Sequence, residues 1–190
     1  GMMPSPNLIA AAASQRTERM KLLIYGNCLP IHEPLRLAEE LAMLDCLTDG
    51  RLISGFVRGI PREYVAYGVD QGESRARFQE AWEIIKLAWS EEAFSYKGDF
   101  WTYEDVAIWP RPVQQPRPPV WVPVTVSKET IEWAGRENIP ITPGANATLA
   151  VRQDMIRFYA ECLAQNGHTI TPNHVVLGAS VYVADSRQQA

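Results

Sequence analysis

Short continuous apolar runs alternate along the chain with longer segments in which apolar residues recur at helical spacing. A short continuous apolar run is typical of a strand that is buried on both faces of a parallel sheet. Runs of this kind predict five strands, at residues 21–27, 51–57, 120–126, 139–142 and 175–184. The third run contains Pro123, which has no backbone N–H to donate, so we expect an interrupted pairing or a strand end there.

Apolar residues at helical spacing mark the segments between these runs. The clearest segment begins at Phe78 and ends at Trp89, with apolar residues three and four positions apart. Weaker patterns predict helices at 5–16, 35–47, 128–136 and 148–166, the first with an apolar face of Leu8, Ile9, Ala12 and Ala13. Residues 96–101 predict a small hairpin, residues 60–73 a loop, and the six prolines from Pro110 to Pro123 an extended connection.

Alternation of strands with helices predicts βαβ units and therefore a parallel sheet. The five predicted strands are fewer than the eight of a closed TIM barrel. We therefore expect an α/β fold, which is either a doubly wound open sheet or a partial, incomplete TIM barrel with parallel strands alternating with helices. Residues 1–190 are expected to form a single domain.

Charge and composition narrow the classes of partner. The net charge of −4 and the absence of a basic block argue against nucleic acid and against a polybasic membrane anchor. The apolar run at 8–13 is too short to cross a bilayer, and it lacks the flanking features of a signal peptide. The three cysteines are far apart and odd in number, which favours reduced thiols in a cytoplasmic protein over a disulfide framework.

Functional side chains in a parallel α/β fold collect at the C-terminal ends of the strands. Arg58 and Gly59 follow the second predicted strand, and Ser127 and Thr130 follow the third. A guanidinium ion and the N-terminus of a helix both favour an anion, so these residues predict a phosphate site. The alternatives are structural: Ser127 serves only as a helix N-cap, and Arg58 only pairs with an acid such as Glu63.

A substrate pocket is expected at the same edge of the sheet. Asn27 ends the first predicted strand, His32 lies in the loop after it, and Tyr64 lies in the loop after Arg58. Tyr64 and its neighbour Tyr67 either line a ring-binding cavity or pack the loop, and both interpretations stay open. No metal-ligand spacing, GxSxG elbow, GxGxxG fingerprint or Walker pattern occurs, so we predict no metal site and identify no catalytic residue.

Six strings of the sequence carry a more specific signal through their order and spacing. They are LPIHEPLRLAEE at 29–40, VRG at 57–59, PREY at 61–64, RARFQE at 75–80, GDFW at 98–101 and PRPVQQP at 110–116. In this order they resemble the bacterial luciferase-like monooxygenases. The resemblance is clear over residues 5–145 and looser over 146–190.

The resemblance implies a TIM barrel that uses reduced FMN, or in some relatives a deazaflavin, with oxygen or on a small organic substrate. It implies that Arg58 with Gly59, Ser127 and Thr130 hold the flavin phosphate. The family has further strands before the position of Asn7 and one after Ala190, so the chain is expected to lack the first strands and the last strand of the full barrel.

An enzyme hypothesis and two non-catalytic alternatives remain open. The first is a luciferase-like, flavin-dependent monooxygenase or oxidoreductase that acts on a small-molecule substrate. The alternatives are a non-catalytic remnant of the fold that binds flavin or phosphate, and an oligomeric interaction protein without a cofactor. Because an incomplete barrel exposes apolar surface, we expect the chain to form a homo-oligomer, specifically a dimer.

Overall fold

The computed structural model describes residues 5–125, 127–178 and 182–189. The chain divides into two compact units, Gly1–Val120 and Trp121–Ala190. The first unit contains α1 (Pro6–Ser14), β1 (Leu22–Cys28), α2 (Pro34–Leu47), β2 (Leu52–Val57), α3 (Pro61–Tyr67), α4 (Ser74–Ser90), β3 (Phe94–Lys97) and β4 (Thr102–Val106). The second contains β5 (Val120–Val124), which begins at the last residue of the first unit, then α5 (Lys128–Arg136), β6 (Ile141–Pro143) and α6 (Leu149–Gln165).

The parallel sheet of the first unit is formed by β1 and β2. They run side by side from the pair Leu22–Leu52 to the pair Cys28–Val57. The backbone N–H of Ser54 in β2 donates to the carbonyl of Pro119 at 2.8 Å, so β2 is hydrogen-bonded along both edges. All of β2 before Val57 is buried, as its continuous apolar sequence predicts.

Aromatic side chains form the core of the first unit between β2 and α4. The ring of Phe56 lies 5.8 Å from that of Trp82 and 6.3 Å from that of Trp89, and all three are buried. Nε1 of Trp89 donates to the carbonyl of Ala38 in α2 at 3.1 Å. This bond satisfies the only polar atom of the Trp89 side chain and ties α4 to α2.

In the second unit, β5 and β6 are also parallel, with Val122 opposite Ile141. The following helices pack closely because Gly135 of α5 has no side chain. A Cβ at that position would lie 2.6 Å from the Cβ of Cys162 in α6. Parallel strands that alternate with helices are therefore present in both units, and the predicted α/β class is confirmed.

The first helix forms where it is predicted, but the predicted apolar face is wrong. Leu8 and Ile9 are 69% and 54% exposed, whereas Asn7, Ala10 and Ser14 are buried. The side-chain amide of Asn7 donates to Glu40 of α2 at 2.7 Å. Small and polar side chains thus face α2, which brings the two helices together through a hydrogen bond that a hydrophobic pattern does not reveal.

The loop predicted at 60–73 contains a helix, α3, and a 3-10 turn at Gln71–Glu73. Pro61 occupies the first turn of α3, where its missing N–H costs nothing. The carboxylate of Glu63 accepts from the backbone N–H of Ile60 at 2.9 Å, and Gly68 ends the helix in the left-handed conformation with φ of 67°. Helix start and stop signals outweigh the loop-like composition here.

The last predicted strand, at 175–184, does not form over its described part. Val175 makes a single parallel bridge to Ile141, and the N–H of Val176 donates to the Ile141 carbonyl at 3.0 Å. Residues 179–181 lie outside the described residues, as does residue 126 of the third predicted strand. β6 is only three residues long and Pro143 has no N–H, so β6 offers few backbone groups with which residues after Val175 could pair.

Two further local predictions, the hairpin and the strand end near Pro123, are confirmed. The hairpin forms from β3 and β4, which pair antiparallel around residues 98–101. Pro123 lies near the end of β5 and faces Thr142 in the parallel pair. Among the described residues, no helix has the length and apolar character needed to cross a bilayer.

Candidate functional site

The C-terminal ends of β1 and β2 lie next to each other in the first unit. Cys28 is the last residue of β1 and pairs with Val57, the last residue of β2. Arg58 and Gly59 follow directly, so the predicted cation lies at the edge of the sheet where parallel α/β folds place ligands. Arg58 and Gly59 are both half-buried.

The carbonyl oxygen of Arg58 accepts two side-chain hydrogen bonds. The thiol of Cys28 donates to it at 3.2 Å and the hydroxyl of Tyr64 donates to it at 2.6 Å. Gly59 follows with φ of 100°, a conformation that residues with a side chain rarely adopt. A Cβ at Gly59 would also lie 2.5 Å from the Cys28 sulfur, so only glycine fits there.

Both donors keep their protons at neutral pH. Burial, with a smaller effect of Glu63, raises the pKa of the Cys28 thiol to about 12. Burial also raises the pKa of Tyr64, and a hydrogen bond from Ser74 opposes that shift. The thiol and the hydroxyl are therefore available as donors to Arg58.

The guanidinium group of Arg58 is not used in a structural ion pair with Glu63. The Glu63 carboxylate accepts from the backbone N–H of Ile60 instead. In the ranges that the structure describes, the Arg58 side chain forms no salt bridge and no hydrogen bond. A half-buried cation at this position is thus available to an anionic ligand.

The three predicted pocket residues all belong to the first unit and have different surroundings. Asn27 is 2% exposed, and its side-chain Nδ2 has no hydrogen-bond partner among the described residues. Nδ1 of the half-buried His32 lies 2.8 Å from the carbonyl of Cys28, so it carries the proton of that hydrogen bond. Tyr64 is 4% exposed and packs the loop, whereas Tyr67 is 65% exposed.

Ser127 and Thr130 belong to the second unit, at the N-terminus of α5. Ser127 is the N-cap, and its hydroxyl accepts from the N–H of Thr130 at 3.4 Å and donates to the carboxylate of Glu129 at 2.8 Å. Thr130 is half-buried. The helix terminus favours an anion, while the acidic Glu129 in the first turn opposes one.

The sequence did not predict that the Cys28 thiol hydrogen-bonds to the Arg58 carbonyl. The thiol reaches the Arg58 carbonyl because the two strands end in register, a relationship between residues thirty positions apart. The glycine after Arg58 was the available signal, since a strand followed by Arg-Gly marks a close approach of the backbone to another group. Within the described parts of the chain, no three His, Cys, Asp or Glu side chains cluster as a metal site would require.

Two of the sequence strings that carry the resemblance, 75–80 and 98–101, are in contact in the structure. The carboxylate of Glu80, in the 75–80 string, accepts from the backbone N–H groups of Asp99, Phe100 and Trp101, in the 98–101 string. The guanidinium of Arg77 lies 4.4 Å from the centre of the Phe100 ring. These strings therefore specify the contact between α4 and the hairpin rather than a catalytic centre.

A family model described as luciferase-like monooxygenase matches residues 1–190. The chain belongs to the luciferase-like monooxygenase family. The oxygenase component of the flavin-dependent trigonelline monooxygenase of Acinetobacter baylyi is 30% identical over 98% of this chain and 52% of its own length. The chain spans about half the length of the curated relatives it matches.

Two solved monooxygenase structures have the same fold as this chain. The monooxygenase RslO1 from Streptomyces bottropensis superposes with a TM-score of 0.92 and 31% identity, covering 100% of this chain and 58% of RslO1. The oxygenating constituent of 3,6-diketocamphane monooxygenase from Pseudomonas putida, in complex with FMN, has a TM-score of 0.88 over 98% of this chain and 55% of its own. Its 22% identity supports a likeness of fold only.

Proposed function

We propose that this luciferase-like chain belongs to a flavin-dependent monooxygenase that acts on a small organic substrate and binds the flavin phosphate through Arg58, Gly59, Ser127 and Thr130. The observation that carries the proposal is the half-buried guanidinium of Arg58. It follows a parallel strand and, within the described residues, has no structural partner. A folded protein seldom leaves a half-buried cation unpaired without a ligand to meet it.

Ser127 and Thr130 of the second unit and Gly59 of the first support the same proposal. Ser127 and Thr130 present hydroxyl groups at the N-terminus of α5, where free backbone N–H groups and the helix dipole attract an anion. The Ser127 hydroxyl now donates to Glu129, and a phosphate oxygen would take over that donor. Gly59 contributes a turn with positive φ directly after Arg58, which a side chain packed against the Cys28 sulfur would not allow.

In this proposal the flavin supplies the redox chemistry and the protein residues bind and orient the flavin and the substrate. A reduced flavin, when bound, supplies the reaction with oxygen, as flavin cofactors do in general. Arg58, Ser127 and Thr130 would fix the phosphate end. A substrate pocket is proposed at the paired ends of β1 and β2, where Asn27 and His32 belong to or follow β1 and Arg58 follows β2. The name of the Acinetobacter baylyi relative supports a flavin, and the proposal takes FMN as its form with a deazaflavin as the alternative.

The alternative function is a non-catalytic protein that binds flavin or phosphate through the same residues. Absorbance spectra after addition of FMN to the purified protein test binding, and consumption of oxygen with reduced FMN separates the enzyme from the non-catalytic binder. We expect Arg58→Ala to weaken FMN binding by about 10-fold or more, because a charge-assisted hydrogen bond is lost. Arg62→Ala is the matched control, since Arg62 is an exposed arginine of α3. Equal affinities of the two variants would refute the phosphate assignment.

We also propose that the chain forms a dimer. Leu8 and Ile9 of α1 are 69% and 54% exposed, and Leu23 and Tyr25 of β1 are 38% and 44% exposed, so both elements leave large apolar side chains in solvent. Sedimentation at micromolar concentration tests this proposal. A dimer that dissociates when Leu8 and Ile9 are replaced by serine is expected, and a wild-type monomer would contradict it.

A further inference from the structure

We propose that Tyr64 and Cys28 are positioning residues for Arg58: their two hydrogen bonds to its carbonyl oxygen hold the guanidinium where it meets a phosphate. The inference rests on the proposed function, because Arg58 has a ligand to meet only if it binds the phosphate. Neither side chain is assigned a contact with the flavin itself.

The geometry at the Arg58 carbonyl carries the inference. A carbonyl oxygen has two lone pairs, and both are occupied, by the Cys28 thiol at 3.2 Å and by the Tyr64 hydroxyl at 2.6 Å. The orientation of this peptide fixes the backbone of Arg58 and therefore the direction in which its side chain leaves the strand. A loop that only closed a turn would not need two buried side-chain donors on one oxygen.

The two donors come from different elements of the first unit. Cys28 is the last residue of β1, and Tyr64 lies on α3. Both side chains are buried, at 5% and 4% exposure. Two elements thus converge on the peptide that follows β2.

The residues after Arg58 are constrained as well. Gly59 has φ of 100°, and the next N–H, that of Ile60, donates to Glu63 at 2.9 Å. Arg58 is therefore held between the end of β2 and a fixed turn, while its guanidinium makes no bond to the described protein residues. A rigid backbone beneath an unpartnered functional group is the arrangement expected of a preorganised binding residue.

A purely structural role for Tyr64 predicts a different result from a positioning role. If Tyr64 only stabilises the loop, its loss lowers thermal stability and changes the binding of FMN and of riboflavin alike. If Tyr64 positions Arg58, loss of its hydroxyl weakens the binding of FMN but not of riboflavin, because riboflavin carries the same ring system without the phosphate. The ratio of the two dissociation constants therefore isolates the positioning effect.

The experiment measures FMN and riboflavin binding to the wild-type protein, Tyr64→Phe and the control Tyr67→Phe by fluorescence titration. Tyr67→Phe removes the same hydroxyl from an exposed position of the same helix. We expect Tyr64→Phe to weaken FMN binding about 3- to 10-fold, as the loss of one hydrogen bond implies. The affinity for riboflavin should stay unchanged. Tyr67→Phe should leave both affinities at the wild-type values.

The Arg58→Ala background separates this inference from the proposed function. There, Tyr64→Phe should have no further effect on FMN, since the positioned group is absent. If Arg58→Ala itself leaves the preference for FMN intact, the phosphate assignment fails. The positioning inference alone fails if Arg58→Ala abolishes the preference for FMN over riboflavin while Tyr64→Phe, in the otherwise wild-type protein, leaves that preference unchanged.

Cys28 provides a second route that does not depend on Tyr64→Phe folding well. Cys28→Ser keeps a donor at the Arg58 carbonyl and Cys28→Ala removes it. We expect Cys28→Ala to lose part of the preference for FMN and Cys28→Ser to retain it. Equal preferences in these two variants, both with wild-type melting temperatures, would overturn the assignment of Cys28.

Discussion

The buried carboxylate of Asp45 in α2 accepts two hydrogen bonds from Gln114, one from the backbone N–H at 2.9 Å and one from the side-chain amide at 2.6 Å. The same amide also donates to the carbonyl of Leu52 in β2 at 2.9 Å. Gln114 lies in the proline-rich connection, which has few backbone donors of its own. The pair therefore fastens that connection to the sheet end where β2 begins.

Loss of the Asp45 carboxylate should destabilise the first unit. Asp45→Ala leaves both donors of Gln114 without that acceptor in a buried setting, which costs about 2–4 kcal/mol of unfolding free energy. Urea denaturation followed by tryptophan fluorescence measures the loss. Glu92→Gln, an exposed substitution just after α4, should change the unfolding free energy by less than about 0.5 kcal/mol. Equal midpoints for the two variants would show that the pair contributes nothing.

The carboxylate of Glu80 should be as important to the hairpin of β3 and β4. It accepts from three consecutive N–H groups, and a glutamine can offer only one acceptor oxygen at that position. We expect Glu80→Gln to lower the unfolding free energy by about 1–3 kcal/mol. Glu83→Gln, which removes only a partly exposed ion pair with Lys86, should cost about 0.5 kcal/mol or less. Hydrogen exchange of residues 99–101 should quicken in Glu80→Gln alone.

Removal of the Glu129 charge should strengthen the binding of an anion at the start of α5. The Glu129 carboxylate accepts from Ser127 and lies in the first turn, where it repels phosphate and competes for the same hydroxyl. We expect Glu129→Gln to tighten FMN binding a few-fold at low salt, with a smaller gain at high salt. Glu132→Gln, exposed one turn further along α5, is the control. A weaker affinity in Glu129→Gln would place the phosphate elsewhere.

Stability should fall at alkaline pH, in part through Cys28. The folded pKa is raised from 9.0 to about 12, so the folded protein retains the thiol proton after the unfolded chain has lost it. This contribution is complete below pH 9.0 and is lost as the pH rises towards about 12. Urea denaturation of wild type and Cys28→Ser between these limits should show the shallower decline in the variant. Parallel declines would mean that the thiol does not contribute, since the buried tyrosines titrate in both proteins.

The extent to which the sequence predicts this structure depends on how local each signal is. Continuous apolar runs identify β2 and β5, whose residues are buried or half-buried as such runs require. They also identify β1, but the expected burial on both faces is wrong there, because Leu23 and Tyr25 are 38% and 44% exposed. The 175–184 run fails because a strand also needs a partner, and β6 is short and ends in Pro143. The buried face of α1 was mispredicted because its contact with α2 is a hydrogen bond between Asn7 and Glu40.

The candidate site shows the same limit. The N-cap role of Ser127 could be predicted from residues two and three positions away. The two donors on the Arg58 carbonyl could not, because Cys28 lies on a neighbouring strand and Tyr64 on a helix that was expected to be a loop. The roles of Arg58, Ser127 and Thr130 at a flavin phosphate stay predictions, supported by the resemblance and by the available guanidinium.

The most direct test of the phosphate site compares the dissociation constants of FMN and riboflavin for the wild-type protein and for Arg58→Ala at one salt concentration. We predict that the wild-type protein binds FMN at least about 10-fold more tightly than riboflavin, as a charge-assisted contact to phosphate implies. Arg58→Ala should bind the two with nearly equal affinity. A wild-type protein that binds riboflavin as tightly as FMN would contradict the account.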